Sequence, residues 1–174
     1  MGRLAAEKRV ADMTNLADIP NTKIVIVGDG PARAEVEKQL PHAVFTGGLG
    51  GEDLPRAVAS MDVFCSTGEL ETFCQAVQEA KACGLPVISP RKGGPIDLID
   101  PSRTGWLYEP GDMTDFRSRV VDLVGDDYKR HAMGIAARAS IENRTWENLC
   151  AELVEHYKEA IRLAGRSTRI RAVL

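Results

Sequence analysis

The sequence predicts an α/β fold in which a parallel sheet is covered by helices on both faces. Short runs of unbroken apolar residues, such as IVIV at 24–27 and LPVI at 85–88, are typical of buried parallel strands, which lack polar alternation. Turns that contain glycine follow several of these runs, and segments with apolar residues three and four positions apart follow the turns. This alternation of strand and helix patterns favours a parallel sheet.

The predicted strands occupy the first two thirds of the chain. They lie in five segments: KIVIVGDG at 23–30, AVFTGGLGG at 43–51, DVFCS at 62–66, LPVIS at 85–89 and TGWLYEP at 104–110. The segments between them are predicted as helices at 31–40, 52–61, 73–83 and 94–100. Pro31 suits a first helical turn, where its missing N–H has no partner to lose. Gly84 is a typical left-handed residue after a last turn.

The last third of the chain is predicted to be helical. Residues 112–123, 127–140 and 145–163 show helical spacing, with Thr145 as an N-cap. We assign residues 1–164 to one domain and residues 165–174 to a tail without periodicity. A glycine turn and a helix signal open the chain with no strand before them, so we expect it to begin inside a larger protein, just after or within a strand.

The bulk composition indicates a globular protein. With 174 residues the chain can bury a core, and a formal net charge of −3 gives no general attraction to nucleic acid. The four cysteines show no metal-ligand spacing, so we expect buried free thiols, no metal and a reducing, cytoplasmic compartment. We expect neither a signal peptide nor a membrane span.

The carboxyl edge of the predicted sheet gathers the candidate binding segments. Ligands of open α/β sheets bind beyond the carboxyl ends of the strands, and glycines there let a ligand approach the backbone closely. Helix starts near Phe73 and Pro95 offer N–H groups and a positive dipole end, which suit a phosphate. The strand ends concerned are Gly28-Asp29-Gly30, the glycines from 47 to 51, the segment from Thr67 to Phe73, and Gly93-Gly94.

Four charged residues are predicted to lie along that edge. Arg3 and Lys8 enter the first helix, where together they would neutralise a diphosphate. Glu71 precedes the helix at 73–83, and Glu79 within it could accept hydrogen bonds from ribose hydroxyls. Eight residues on a helix span roughly 12 Å, too far for the paired acids of a glycosidase. Taken singly, each of these residues also fits a solvated surface charge.

Missing motifs disfavour several enzyme classes. The chain has no Walker A sequence and no G-x-S-x-G elbow, and GDGPAR at 28–33 lacks the third glycine of a dinucleotide fingerprint. The three histidines are scattered and show no metal-ligand spacing.

Six motifs in a fixed order carry a family resemblance. They are GRLAAEK at 2–8, VGDGP at 27–31, FTG at 45–47, ETFCQAVQEAKACGLPVISP at 71–90, GG at 93–94 and GWLYEPGD at 105–112. Together they resemble the C-terminal half of a retaining GT-B glycosyltransferase of glycosyltransferase family 4, over residues 2 to about 161. GELETFCQ and GGPIDLIDPSRTGWLY are similar to segments of the GDP-mannose-dependent α-mannosyltransferases of actinobacterial glycolipid assembly.

The resemblance implies a fold and a reaction. It implies one Rossmann-like half of a GT-B fold, with extra C-terminal helices, that binds a sugar nucleotide, here GDP-mannose. A second Rossmann-like domain of the same enzyme would complete the cleft and contact the acceptor, a glycan or a glycolipid at the inner membrane surface. The transfer step in this family needs no metal or other cofactor, and no nucleic acid is implied. Without the second domain we expect weak donor binding and no transfer.

The resemblance also implies roles for individual residues. Arg3 and Lys8 would contact the diphosphate and Glu71 the donor sugar, which makes these three the expected catalytic set. Glu79 would contact the ribose. The other implied nucleotide-sugar contacts are Gly28, Asp29, Gly30, Phe45, Thr46, Thr72 and Phe73, with the loop after Phe45 beside the base. Cys74 departs from the commoner glycine, and we expect it to crowd the phosphate.

Two other functions stay open from the residues alone. A nucleotide-sugar epimerase also joins two Rossmann-like domains, and a non-catalytic nucleotide-binding module of flavodoxin-like topology is the second alternative. The pairing of GRLAAEK with ETF and QEA at 71–80 favours the transferase.

Overall fold

The computed structural model describes residues 1–167, and of residues 166 and 167 only the backbone. The strands are β1 (Val25–Val27), β2 (Val44–Gly47), β3 (Phe64–Cys65), β4 (Val87–Pro90) and β5 (Gly105–Tyr108). The α-helices are α1 (Arg33–Gln39), α2 (Asp53–Ala59), α3 (Gln75–Ala82), α4 (Pro95–Leu98), α5 (Met113–Val124), α6 (Asp127–Ala139) and α7 (Trp146–Ser167). Every predicted strand is confirmed, and each helix predicted from residue 31 onward has an observed counterpart.

The strands are parallel, as predicted, but among the described residues their hydrogen bonds form two sheets. β1 pairs with β2, and β4 lies between β3 and β5. The N-terminal segment runs beside the end of β1, where the N–H of Gly2 donates to the carbonyl of Val27 at 2.8 Å. Periodicity shows which segments are strands but not which strands pair, so the sequence could not predict this division.

Successive side chains of β4 point to opposite faces, and each face has its own core. Val87 packs with Val58 of α2 and Val77 of α3, while Ile88 packs with Phe116 of α5. All of these side chains are almost fully buried. Helices therefore cover both faces, as predicted. Burying one such side chain contributes about 1.5–3 kcal/mol, which holds the strand ends in place.

The predicted first helix is present as two short 3₁₀ helices, Ala6–Lys8 and Val10–Leu16. Arg9 lies between them with a left-handed φ of 50°, a conformation that a continuous right-handed helix cannot contain. The carbonyl of Lys8 accepts a hydrogen bond from the Thr67 hydroxyl at 2.7 Å. This bond ties the N-terminal segment to the loop after β3.

Two predicted helix-end signals are confirmed. Gly84 follows α3 with a φ of 81°, and the N–H of Leu85 donates to the carbonyl of Ala80 at 3.1 Å, the longer bond of a Schellman motif. Thr145 caps α7, because its hydroxyl oxygen accepts from the N–H of Asn148 at 3.2 Å.

The chain divides into two compact units, Met1–Ile141 and a second that begins at Glu142. The second unit contains α7, whose apolar residues Trp146, Tyr157 and Ile161 are exposed. The domain limit at residue 164 stays a prediction. The predicted tail at 165–174 begins inside α7, and its part from residue 168 lies outside the described residues.

None of the helices within residues 1–167 combines the length and apolar character needed to cross a membrane.

Candidate functional site

The loops after β3 and β4 lie against each other at the carboxyl edge of their sheet. The N–H of Gly94 donates to the carbonyl of Glu71 at 2.8 Å. A Cβ added to Gly93 would lie 2.4 Å from that carbonyl oxygen, and one on Gly94 would lie 2.1 Å from the carbonyl oxygen of Thr72. Neither distance is tolerated by a real side chain, so these glycines allow the protein's own backbone to pack closely here.

The side chains of Lys8 and Glu71 contact each other next to the Cα atom of Gly68. The ammonium of Lys8 donates to the carboxylate of Glu71, and the two side chains are only 33% and 20% exposed. A Cβ on Gly68 would lie 3.0 Å from the Oε1 atom of Glu71 and 3.5 Å from the Cδ atom of Lys8. The structure therefore brings together Lys8, which is predicted to bind the diphosphate, and Glu71, which is predicted to bind the donor sugar.

Glu69 contacts two cations that the sequence analysis did not single out. Its Oε1 atom lies 3.4 Å from the Nη1 atom of Arg9, and its Oε2 atom lies 3.0 Å from the Nζ atom of Lys92. Arg9 also donates to Asp12 at 2.8 Å, and this carboxylate raises the pKa of Arg9. The sequence offered one signal for the Glu69–Lys92 contact. An acidic E-x-E segment at 69–71 follows one predicted strand, and a basic RK pair at 91–92 follows the next.

Helix α3 begins next to the Glu71 loop and has no side-chain cap. The first N–H groups of a helix lack intrahelical acceptors and carry the positive end of its dipole. Thr72 and Phe73 lie three and two positions before the first residue of α3 and are exposed. The prediction of a helix start behind the Glu71 segment is confirmed.

Cys74 is the residue before α3 and has left-handed φ and ψ angles of 53° and 49°. Glycine adopts this conformation at no steric cost, whereas a residue with a Cβ is strained in it. The side chain is 5% exposed and belongs to the core around Val77. Burial, and then the charge of Glu71, raise the pKa of this thiol to about 11. The expectation that it would crowd a phosphate is therefore corrected.

The second predicted phosphate-binding helix start is also corrected. Helix α4 has four residues, a single turn in which little dipole accumulates. Its first residue, Pro95, has no N–H to donate.

The turn after β1 packs on the N-terminal segment. A Cβ on Gly28 would lie 1.8 Å from the carbonyl oxygen of Gly2, and one on Gly30 would lie 2.4 Å from that of Leu4. Asp29 accepts from the N–H of Gly30 at 2.7 Å and also pairs with Arg33, and these contacts lower the pKa of Asp29. The role of this turn in nucleotide binding stays a prediction.

Arg3 and Glu79 both contact residues one helical turn away. Arg3, whose side chain is 66% exposed, pairs with Glu7. The carboxylate of Glu79 accepts from the amide of Gln75 at 3.0 Å. Such local surface contacts contribute little free energy, so either side chain can turn to a ligand at low cost.

Phe45 and Thr46 lie in β2. Phe45 pairs with Ile26 of β1 and is partly buried. The hydroxyl of Thr46 donates to the carbonyl of Gly47 at 2.9 Å. Their placement beside a base stays a prediction.

Within the part of the chain that the structure describes, no group of three or more His, Cys, Asp or Glu side chains could hold a metal ion. All four cysteines are free thiols. Burial raises the pKa of Cys65 to about 12. Cys150 on α7 is exposed, which corrects the expectation that every thiol is buried.

The family model described as "Glycosyl transferases group 1" matches residues 1–140. The chain belongs to this family. Membership in the group 1 glycosyl transferases favours the transferase over the epimerase and the non-catalytic module left open above.

Curated relatives agree with this family. A GDP-mannose-dependent α-mannosyltransferase of Mycobacterium tuberculosis (strain CDC 1551 / Oshkosh) is 50% identical over 169 residues, which cover 97% of this chain and 43% of that protein. The protein of the same name from Corynebacterium glutamicum is 43% identical over 166 residues, which cover 95% of this chain and 40% of that protein. This group 1 chain thus spans less than half the length of these relatives.

A solved structure shows the same fold. The sucrose-phosphate synthase of Thermosynechococcus elongatus matches with a TM-score of 0.81 at 20% identity, over 93% of this chain and 45% of that one. The group 1 chain therefore shares the fold of one part of that longer protein.

Proposed function

We propose that this chain is the donor-binding domain of a retaining glycosyltransferase that moves a mannosyl group from GDP-mannose to a glycolipid or glycan acceptor. The observation that carries the proposal is the Lys8–Glu71 pair beside the uncapped start of α3. A cation, an acid and the positive end of a helix dipole meet there at the carboxyl edge of the sheet. Three relatives at 43–50% identity named as GDP-mannose-dependent support the choice of base and sugar.

The diphosphate of the donor takes the place of Glu71 on Lys8. Phosphate oxygens bind an ammonium and a helix start through charge-assisted hydrogen bonds. Arg3 leaves its exposed contact with Glu7 and binds the same diphosphate. Together these cations neutralise the charge that develops on the departing nucleotide.

Glu71, released from Lys8, accepts hydrogen bonds from hydroxyls of the donor sugar. The N–H groups of Thr72 and Phe73 face the sugar and the phosphates. Glu79 accepts hydrogen bonds from the ribose. The base lies near the 28–30 turn and the 45–46 segment.

No metal ion or other cofactor takes part in the proposed transfer. Arg3, Lys8 and the start of α3 supply the positive charge that a divalent cation provides in other enzymes. Donor binding is therefore expected to survive a chelator unchanged, and a requirement for magnesium would contradict this part of the proposal.

The remainder of the enzyme supplies a second Rossmann-like domain and the acceptor contacts. The chain spans 40–44% of the length of its relatives, so we propose that it binds the donor and transfers nothing alone. We further propose that the whole enzyme is cytoplasmic and works at the inner membrane surface on a glycolipid acceptor.

A thermal-shift panel tests the donor. The 174-residue chain is heated with GDP, GDP-mannose, UDP, UDP-glucose and ADP, with Lys8→Met as the matched variant. A ligand at 100 times its dissociation constant stabilises a fold by about 2.7 kcal/mol, which shifts the melting temperature by several degrees. We expect the largest shifts with the two guanosine ligands and smaller ones in the variant. No shift with any nucleotide would contradict donor binding, and mannosyl transfer by the chain alone would contradict the division of labour.

A further inference from the structure

The carboxylate of Glu69 connects three segments that meet at the candidate site. Glu69 follows β3, Arg9 lies between the two 3₁₀ helices, and Lys92 follows β4. The two cations are bound by different oxygens of the same carboxylate, at 3.4 Å and 3.0 Å. This is the arrangement of a side chain that sets the spacing of its neighbours.

The contacts of Glu69 are better sheltered than ordinary surface ion pairs. Its side chain is 19% exposed, whereas the Arg56–Glu52 pair on α2 is 74% and 83% exposed. Less solvent screens a part-buried carboxylate, so its attraction to each cation is stronger. Without Glu69, Arg9 would keep its contact with Asp12 at 2.8 Å, and Lys92 would lose its contact with Glu69.

Glu69 also lies close in sequence to the residues assigned to the donor. Glu71 is two positions further on, and its carbonyl accepts from Gly94, two positions after Lys92. A salt bridge and a backbone hydrogen bond thus join the same two loops, at 69–71 and 92–94. Losing the salt bridge would leave the two loops joined by the hydrogen bond and by the close backbone packing of Gly93 and Gly94.

We propose that Glu69 is a positioning residue of the donor site: by binding Arg9 and Lys92 it holds the 70–73 segment where Glu71 and the start of α3 meet the sugar nucleotide. The inference rests on the proposed function of this site. Glu69 itself touches no part of the donor.

The direction in which one substitution changes GDP affinity distinguishes a positioning role of Glu69 from a purely electrostatic one. Glu69→Gln removes a negative charge near a site for an anion, and electrostatics alone would then strengthen GDP binding. Misplacement of the 70–73 segment would weaken it, since small shifts of binding groups are costly. We expect about a tenfold loss of GDP affinity by calorimetry, with a melting temperature close to that of the unsubstituted chain. Equal or tighter binding by Glu69→Gln would overturn the proposal.

Two further arms make the test decisive. Lys92→Met is expected to weaken GDP binding. The double variant Glu69→Gln/Lys92→Met is expected to bind GDP no more weakly than whichever single variant binds it less tightly, because Glu69 and Lys92 act as one unit. Full additivity of the two losses would overturn the shared role. Glu52→Gln, which breaks the exposed Arg56 pair, is the matched control and is expected to leave GDP affinity unchanged.

Hydrogen exchange separates this inference from the proposed function. In the ligand-free chain, amides at 70–73 are expected to exchange several-fold faster in Glu69→Gln than in Glu52→Gln, while the amides of β4 do not change. Unchanged exchange at 70–73 would overturn positioning by Glu69 whether or not nucleotide binds. Absence of GDP binding by the unsubstituted chain would instead overturn the proposed function.

Discussion

Lys8 donates a hydrogen bond to Glu71 across 63 positions of sequence. Without a ligand, the site therefore satisfies the cation proposed for the diphosphate with the acid proposed for the sugar. Both side chains are partly buried, so neither charge is left without a partner in a place that water reaches poorly. In the proposed function, donor binding exchanges this internal contact for one between Lys8 and the diphosphate and one between Glu71 and the sugar.

Replacing Glu71 by Gln should make Lys8 available to phosphate. We expect Glu71→Gln to bind GDP several-fold more tightly, because a competitor worth about 1 kcal/mol is removed. GDP-mannose should gain less, because an amide accepts hydrogen bonds from sugar hydroxyls more weakly than a carboxylate does. Calorimetry with both ligands measures the difference. A lower GDP affinity in Glu71→Gln would show that Glu71 does not compete for Lys8.

The ribose contact of Glu79 can be tested by changing both partners. Glu79→Ala is expected to weaken GDP binding about tenfold, because hydrogen bonds to a charged group contribute roughly 1.5–3 kcal/mol. The same substitution should have little effect on the affinity for 2′,3′-dideoxy-GDP, which lacks the hydroxyls. Equal losses with both nucleotides would place Glu79 elsewhere.

Gly94 should tolerate no side chain. Its backbone is in the right-handed region, so alanine is allowed there locally, yet the added Cβ would lie 2.1 Å from the carbonyl oxygen of Thr72. We expect Gly94→Ala to lower the free energy of unfolding by about 1–3 kcal/mol and to abolish the GDP-induced thermal shift. Urea unfolding measures the first effect. Gly48→Ala is the control, because an added Cβ there has no atom within 4 Å.

The left-handed backbone of Cys74 predicts an unusual order of stability. Alanine normally stabilises a helix more than glycine by about 1 kcal/mol, and the exposed position Ala132 in α6 should show this order. At position 74, with a φ of 53°, a Cβ costs about 1–2 kcal/mol. We therefore expect Cys74→Gly to be at least as stable as Cys74→Ala in urea. A clearly more stable alanine variant would contradict the strained conformation.

The thiol of Cys74 predicts the direction of a pH effect. Its pKa is raised from 9.0 to about 11 in the fold, so between these values the unfolded chain loses a proton that the native chain keeps. Stability from this group is complete below pH 9 and falls as the pH rises toward 11. Urea unfolding at pH 8 to 11 should show a shallower decline in Cys74→Ala than in the unsubstituted chain. Identical slopes would contradict the shift.

Most elements of the fold could be predicted because their signals are local. The apolar runs at β1 and β4, the cap at Thr145 and the left-handed Gly84 each depend on a few neighbouring residues. The sequence does not predict the 3₁₀ form of the first helix. Its break is at Arg9, which is left-handed although it is neither glycine nor asparagine, the residues that usually indicate this conformation.

The prediction that glycines mark sites of close approach is confirmed, and the structure adds a partner that the sequence did not indicate. The structure shows backbone of the chain itself at 1.8 Å and 2.4 Å from the added Cβ positions of Gly28 and Gly93, while the ligand contacts predicted there stay predictions. A glycine signals only that space is short. What fills the space depends on segments far away in sequence.

By itself, the sequence determined the alternation of strands and helices and the ordered motifs of the glycosyl transferases group 1 family, and it predicted the candidate site at the carboxyl edge of the sheet. Only the tertiary structure decided which charges meet: Lys8 with Glu71, and Glu69 with Arg9 and Lys92. Periodicity and turn chemistry depend on a few neighbouring residues, so they can be recognised from the sequence. Ion pairs between loops depend on how strands pair and how each loop leaves its strand, and no local pattern records that geometry.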